Sequence, residues 1–119
     1  MSAILDTEKG KITFTDEYIS NIAGISLLDC YGVVGMTSKT TMQSINEILK
    51  KEDYKKGVVI TTNSSNSLSI QLYVIVQYGI SLAEIGKSII GTVKYNVEKA
   101  TGLIVDNVEV VVSGIRVTA

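Results

Sequence analysis

The chain has 119 residues, of which 45% are hydrophobic, and a formal net charge of -1. This composition predicts one globular domain and argues against the strongly basic surface on which nucleic-acid binding depends. Histidine is absent and Cys30 is the only cysteine, so an internal disulfide and a cysteine–histidine metal cluster are excluded. The chain lacks a signal-peptide pattern and a membrane-length apolar run, so we expect a cytoplasmic protein that does not insert into a membrane.

The first quarter of the chain predicts a tail, a strand and a helix. Residues 1–9 contain two acids and no long apolar run, and they predict a flexible tail. Lys11 to Thr15 alternates polar and apolar residues, as an edge strand does. Thr15 then offers a cap, and Asp16 a first-turn negative charge, for a helix that ends at Gly32. The apolar stripe of this helix comprises Tyr18, Ile19, Ile22, Ala23, Ser26 and Cys30, with Ile25 and Leu28 on its flanks.

Residues 37–56 predict a short amphipathic helix followed by a charged exit. The apolar side of the helix consists of Met42, Ile45, Ile48 and Leu49. The exit contains Lys50, Lys51, Lys55 and Lys56 with Glu52 and Asp53, so four lysines minus two acids leave a net charge of +2. A solvated helix end and a docking patch are the two interpretations of this lysine cluster.

The stretch from Gly57 to Thr118 predicts strand, turn, strand, helix and strand, and it holds most of the residues that can build a core. The turn falls at Asn63–Asn66, since Asn and Ser hydrogen-bond their own backbone there. Ser81 and Glu84 form the S-x-x-E capping box that opens the helix, and Gly102 is a ready C-terminal stop. The alternating residues of the second strand are Leu68, Ile70, Leu72, Val74 and Val76. The helix stripe is Leu82, Ile85, Ile89, Val93, Val97 and Ala100, and the last strand alternates at Val108, Val110 and Val112.

These elements follow the order β-α-β-β-α-β, with a short helix in the middle. A helix that joins two neighbouring parallel strands crosses over with one handedness, so both main helices are expected on one face of a mixed sheet of three to four strands. The predicted fold class is therefore α+β, a two-layer sandwich, formed by residues 10–119 as a single domain.

The sheet face opposite the helices is the main candidate site. Tyr73, Ile75 and Val111 fall out of phase with the core positions of their strands, as do Val59 and Ile115. A mixed apolar patch on an open sheet face usually marks a surface for a partner or for self-association. The alternatives are scattered surface hydrophobic residues, or cover by residues 37–56.

Two short motifs suggest other functions. Gly32–Gly35 matches the G-x-x-G loop of KH modules, and the element order is KH-like, so an RNA-binding module is the alternative function. The two middle residues are valines, however, which favours a helix stop followed by a short buried strand. Gly86-Lys87-Ser88 mimics the end of a phosphate-binding loop, but it lies in a capped helix and Ser81 replaces the required glycine. We therefore expect no enzymatic activity, no cofactor and no catalytic or metal-binding residue.

Across most of its length the sequence resembles the alkaline shock protein family, the envelope stress response proteins of Gram-positive bacteria. In the first half, the residues that carry the resemblance are Gly10-Lys11-Ile12, Ile22-Ala23-Gly24, Tyr31–Met36 and Gly57-Val58. In the second half they are Val76–Gly79, Val93, Val97-Glu98, Thr101–Leu103, Val108–Val110, Val112 and Gly114-Ile115. The order and spacing of these segments, rather than any one motif, identify the family.

The resemblance implies a non-enzymatic scaffold or adaptor linked to cell-envelope homeostasis, which associates with itself. Some family members gather at the membrane through a membrane-anchored partner protein. Others are short stand-alone forms encoded beside a dihydroxyacetone kinase-like protein, and this chain resembles the short forms. A homo-oligomer with one such protein partner is the expectation, whereas nucleic acid is not an expected partner. Residues 37–56 depart most from the family pattern, so the resemblance implies nothing about partner specificity there.

Overall fold

The computed structural model describes residues 2–37, 56–64 and 66–117. Within these ranges the chain forms an α+β fold with two helices and two sheets, as predicted. The elements, in chain order, are β1 (Ser2–Thr7), β2 (Gly10–Thr15), α1 (Asp16–Leu27), β3 (Val33–Met36), β4 (Val58–Thr62), β5 (Ser67–Gln77), α2 (Leu82–Thr101) and β6 (Ile104–Arg116).

The main sheet is mixed and is organised around β5. Strand β6 runs parallel to β5 along its whole length, from the pair Ser67–Ile104 to the pair Gln77–Arg116. Strand β4 pairs antiparallel with the first half of β5, and β3 pairs antiparallel with its second half. Because β6 occupies one entire edge of β5, β3 and β4 follow one another along the other edge.

Both helices pack on the same face of this sheet. Alternate residues of β5 and one stripe of each helix are buried together in a single core, which confirms the predicted covered face. The helices run antiparallel, since Asn96 of α2 bonds Ser26 of α1 and Gly32 faces Ile85. The fully buried side chains of the core include Ile19, Leu27, Leu68, Ile70, Leu72, Val74, Val76, Ile89, Val93 and Val97.

The helix boundaries follow local capping chemistry. The Thr15 hydroxyl accepts the backbone N–H of Tyr18 at the start of α1, and the Ser81 hydroxyl accepts that of Glu84 at the start of α2. Gly102 ends α2 in the left-handed conformation with φ 78°, as predicted. Gly32 does have a positive φ of 91°, but α1 ends earlier, at Leu27, and two turns separate it from that glycine.

The N-terminal residues form a hairpin rather than the predicted flexible tail. Strands β1 and β2 pair antiparallel, and Ala3 of β1 is buried in the core. Asn66 attaches this hairpin to the main sheet, since its N–H donates to the Ile4 carbonyl and its side-chain oxygen accepts the Asp6 N–H. The Asn66 carbonyl accepts the N–H of Ile104, so a single turn residue joins β1, β5 and β6. These contacts span about sixty residues of sequence.

A β-bulge in β6 changes which side chains face the helices. Val74 pairs with Val112, but the next residue of β5, Ile75, pairs with Gly114, so Ser113 is an extra residue. Beyond the bulge, Ile115 lies opposite the core residue Val76 and therefore on the helix side of the sheet. The prediction that Ile115 lies on the open face was wrong for this reason.

Candidate interaction surfaces

No constellation for catalysis or metal binding forms in the part of the chain that the structure describes. No group of three or more His, Cys, Asp or Glu side chains could hold a metal ion there. Gly86, Lys87 and Ser88 lie inside α2, where the helix ladder uses the backbone N–H groups that a phosphate loop would present. The surfaces of the protein are therefore the features to examine.

Cys30 is a packing residue by its environment. Its thiol is buried, and Sγ lies 3.5 Å from the carbonyl oxygen of Ser26. Burial raises the pKa of the Cys30 thiol above its usual range, and the negative charge of Asp29 raises it further, while hydrogen bonds with Thr92 and Ser88 offset part of the increase. The thiol is thus protonated at neutral pH and is a poor nucleophile.

The open sheet face is the face of β4, β5 and β6 that lies away from the helices. Tyr73 pairs with Val111 and Ile75 with Gly114, so the predicted residues Tyr73, Ile75 and Val111 do share this face. Tyr73 and Val111 are half-buried. Ile75, however, is only 5% exposed, so it is not the exposed contact residue that the alternation suggested.

Ile75 has a glycine as its paired neighbour on each side of β5. It pairs with Gly35 on β3 and with Gly114 on β6, and a β-carbon on Gly114 would lie 3.6 Å from Ile75 Cγ1. This residue therefore contributes to stability rather than to an interface.

Polar side chains dominate the rest of the open sheet face. The Tyr73 hydroxyl donates to Gln71 Oε1 at 3.1 Å, and Gln71 Nε2 donates to Glu109 Oε1 at 3.0 Å. Nearby, the buried Thr37 hydroxyl and the Ser113 hydroxyl are 2.8 Å apart, and Ser113 donates to the Val74 carbonyl. The hydroxyl of Thr37 must then donate to Ser113, because each hydroxyl has one hydrogen. This network fixes a flat polar surface whose depression has a volume of only about 160 Å³.

The predicted lysine cluster is only partly described. Lys50, Lys51 and Lys55, together with the predicted helix over residues 42–49, lie outside the described residues. Lys56 is exposed in the turn that precedes β4. The interpretation of the cluster as a docking patch remains a prediction.

An apolar groove between the two helices is a surface that the sequence analysis missed. This α1–α2 groove has a volume of about 460 Å³ and is lined by Ile22, Ile25, Ser26, Asn96, Lys99 and Ala100. Ile25 is 63% exposed and the nearby Tyr95 is 60% exposed, although both are large apolar side chains. The ammonium of Lys99 lies 5.6 Å from the centre of the Tyr95 ring and adds a positive charge at the rim.

The sequence did contain a signal for this groove. Tyr18, Ile22 and Ile25 repeat at spacings of four and three residues, which forms a second apolar line beside the buried line of Ile19 and Ala23. A helix with two adjacent apolar lines has a larger apolar surface than its contact with one sheet can bury. The second line stays exposed because α2 covers only part of it, through the hydrogen bond of Asn96 to Ser26.

The G-x-x-G segment has no feature of a nucleic-acid clamp. Val33 and Val34 belong to β3, and the Gly32 carbonyl accepts the N–H of Gln77 on β5. The segment thus leads from a turn into a strand of the sheet. Nothing in the structure favours the RNA-binding alternative.

Comparison with known proteins identifies the family. The model of the alkaline shock protein 23 family, described as having a cell envelope-related function, matches residues 5–117. The chain belongs to this alkaline shock protein family. It is 40% identical to the uncharacterised protein YloU of Bacillus subtilis, over 99% of this chain and 98% of that protein. An uncharacterised protein of Streptococcus pyogenes serotype M6 is 36% identical over 98% of this chain and 97% of its own length.

Two further findings concern known structures and membrane-spanning helices. No solved structure matches this chain significantly. In the described part of the alkaline shock protein, neither helix has the length and apolar character that a membrane span requires.

Proposed function

We propose that this protein is a non-enzymatic scaffold or adaptor of the cell-envelope stress response, which associates with itself and with a protein partner. In this proposal it resides in the cytoplasm and reaches the membrane only through that partner, a membrane-anchored or dihydroxyacetone kinase-like protein. The cell envelope-related function of its family supplies the setting.

The observation that carries the proposal is the α1–α2 groove. Exposed apolar side chains lie along one line of α1 and continue onto α2. Exposing such a patch to water does not stabilise the folded domain, so the patch indicates a contact with another molecule. Aromatic and aliphatic residues with a single cationic neighbour are typical of a surface that receives an amphipathic segment of another protein. We assign the protein partner to this groove.

A matched pair of variants tests this assignment in cells. Ile25→Glu places a charge in the groove, and Tyr31→Glu places the same charge on a residue that is also exposed, in the turn after α1. We expect the wild type and Tyr31→Glu to be captured with a membrane-anchored partner after cross-linking in cells and to co-sediment with envelope membranes. The Ile25→Glu variant should lose both properties while it keeps the melting temperature of the wild type.

Two results would contradict the proposal. One is a wild-type protein that never co-sediments with membranes and captures no partner. The other is equal capture by both variants, since a partner that tolerates a charge at Ile25 does not bind in the groove.

A further inference from the structure

Strand β6 has an edge that no described residue pairs with. It is 13 residues long, and among the described strands it pairs with β5 alone, on one side. Its other edge carries backbone N–H and C=O groups that are available to another strand. Natural proteins either protect such an edge or use it for pairing. In the described part of this chain, only one end of the edge is protected.

The protected end lies at Val105. Its N–H donates to Glu98 Oε2 at 2.9 Å, and its carbonyl accepts the Lys94 ammonium at 3.2 Å. These two side chains also lie 3.8 Å from each other as an ion pair on α2. The helix thus occupies the backbone groups with which an added strand would pair at the start of β6.

None of the residues that the structure describes protects the second half of the edge in this way, and apolar side chains are exposed there. Val112 is 42% exposed and Ile115 is 53% exposed. The pairing register shows which backbone groups point outward there. Ile104 and Arg116 lie opposite odd-numbered residues of β5 and bond inward, to Asn66 and Tyr78. Val110 and Ile115 lie opposite even-numbered residues of β5. Val105, whose N–H and C=O groups bond to α2, does so too. The N–H and C=O groups of Val110 and Ile115 therefore point away from β5, toward the free edge.

We propose that the second half of β6 pairs antiparallel with β6 of a second copy of this chain, about a two-fold axis perpendicular to the sheet. In the register that we infer, Val110 of each copy forms its backbone bonds with Ile115 of the other. The adjacent pairs are then Glu109 with Arg116, and Val111 with Gly114. Each pair occurs twice because of the two-fold symmetry.

Charge complementarity selects this occupant and this register. The bulge at Ser113 brings Glu109 and Arg116 to the same face of the sheet, since they lie opposite Gln71 and Gln77 of β5. Both are exposed, and no described residue forms an ion pair with Arg116. The side chains of Val110 and of Ile115 from the second copy then face each other on the helix side of the sheet. Opposite charges and apolar residues that face each other across antiparallel strands stabilise the pairing.

The paired segment also avoids the part of the edge that the α2 side chains occupy. In this register Val108 lies opposite Val117 of the second copy, so among the described residues the paired segment stops before Val105. The Lys94 and Glu98 side chains that bond Val105 therefore do not compete with this pairing. This inference rests on the self-association that we propose above, and it assigns that self-association to the free edge of β6.

Charge reversal tests the register. By sedimentation velocity, Glu109→Arg alone and Arg116→Glu alone should each weaken dimerisation by about tenfold or more, because each creates two like-charge contacts. An equimolar mixture of these two variants should dimerise as the wild type does, since both contacts are then again between opposite charges. Lys87→Glu, a change of the same size on the exposed side of α2, is the control and should not alter the wild-type dimer.

A cysteine pair provides a measurement that does not depend on charge. With a mild oxidant, Glu109→Cys mixed with Arg116→Cys should form a disulfide-linked heterodimer, and neither variant alone should cross-link. Circular dichroism identifies any variant that fails to fold, and the cross-linking result then decides for that position. A wild type that dimerises but is unaffected by charge reversal, or a mixture that does not recover, overturns the β6 pairing and leaves self-association standing. A wild type that is monomeric throughout overturns both.

Discussion

Gly32 gives the sharpest prediction about stability, because the structure offers a matched control for it. Its φ is 91°, and a β-carbon there would lie 2.7 Å from Ile85 Cδ1 and 2.9 Å from Ile85 Cγ1. Gly79 has the same φ of 91° but has no atom within 4 Å of the corresponding position. Alanine at Gly79 therefore measures the backbone strain alone, whereas alanine at Gly32 measures the strain plus the clash with the core.

The two contributions have separate magnitudes. An L-residue in the left-handed region costs about 1–2 kcal/mol, and overpacking a buried site costs about 1–3 kcal/mol more. We expect Gly79→Ala to lower the free energy of unfolding by about 1–2 kcal/mol and Gly32→Ala to lower it by about 2–5 kcal/mol. Gly32→Val should cost still more, because a β-branched residue is poorly tolerated at positive φ.

Urea unfolding followed by circular dichroism, with the same m-value for all three proteins, measures these differences. Equal losses for the two alanine variants would show that Ile85 moves aside freely. An unchanged stability of Gly32→Ala would refute both the positive φ and the contact with Ile85.

Three further predictions follow from α2, its contact with β6, and Cys30. Gly91 lies in the middle of α2 with no atom within 4 Å of a new β-carbon, so Gly91→Ala should stabilise the protein by about 0.5–1 kcal/mol in urea unfolding. Glu98→Ala removes the acceptor for the Val105 N–H and should cost about 1 kcal/mol, whereas Glu98→Gln keeps an acceptor and should cost less. Burial raises the pKa of the Cys30 thiol above its ordinary value, so as the pH rises past that ordinary value the unfolded chain loses this proton before the folded chain does, and stability should fall with rising pH. The folded protein should also react slowly with a thiol reagent at pH 7, and rapidly once urea unfolds it.

Each of these predictions has its own contradicting outcome. A destabilising Gly91→Ala would mean that the exposed surface of α2 is occupied at that position. Equal losses for Glu98→Ala and Glu98→Gln would show that the hydrogen bond to β6 contributes nothing. Rapid labelling of Cys30 in the folded protein would show that the thiol is accessible, and the argument from burial would then fail.

Local chemistry explains which parts of the fold the sequence predicts well. The capping box at Ser81, the stop at Gly102 and the regular spacing from Ile85 to Val97 all act within one helix, so α2 is predictable almost to the residue. The alternation of β5 is equally local, and it identifies the covered face of the sheet without any knowledge of the neighbouring strands.

The errors arise where distant segments decide the outcome. The hairpin at residues 2–15 is attached to the main sheet through Asn66, which lies about sixty residues away, and the sequence of the N-terminus gives no sign of that contact. The bulge at Ser113 reverses the face of Ile115, because one extra residue shifts the two-residue period. Ile75 is buried on the face that simple alternation leaves open, and the strand pairings around it exist only in the assembled sheet. The α1–α2 groove likewise forms only when the two helices meet.

Sedimentation equilibrium of the purified wild-type chain over a wide range of concentration tests most directly whether this protein acts by association. We expect a mass of two copies or more that decreases to the monomer mass on dilution, and an association weakened by about tenfold or more in Arg116→Glu. A wild-type chain that remains monomeric at every concentration, with or without salt, would contradict the proposal that this alkaline shock protein is a self-associating scaffold.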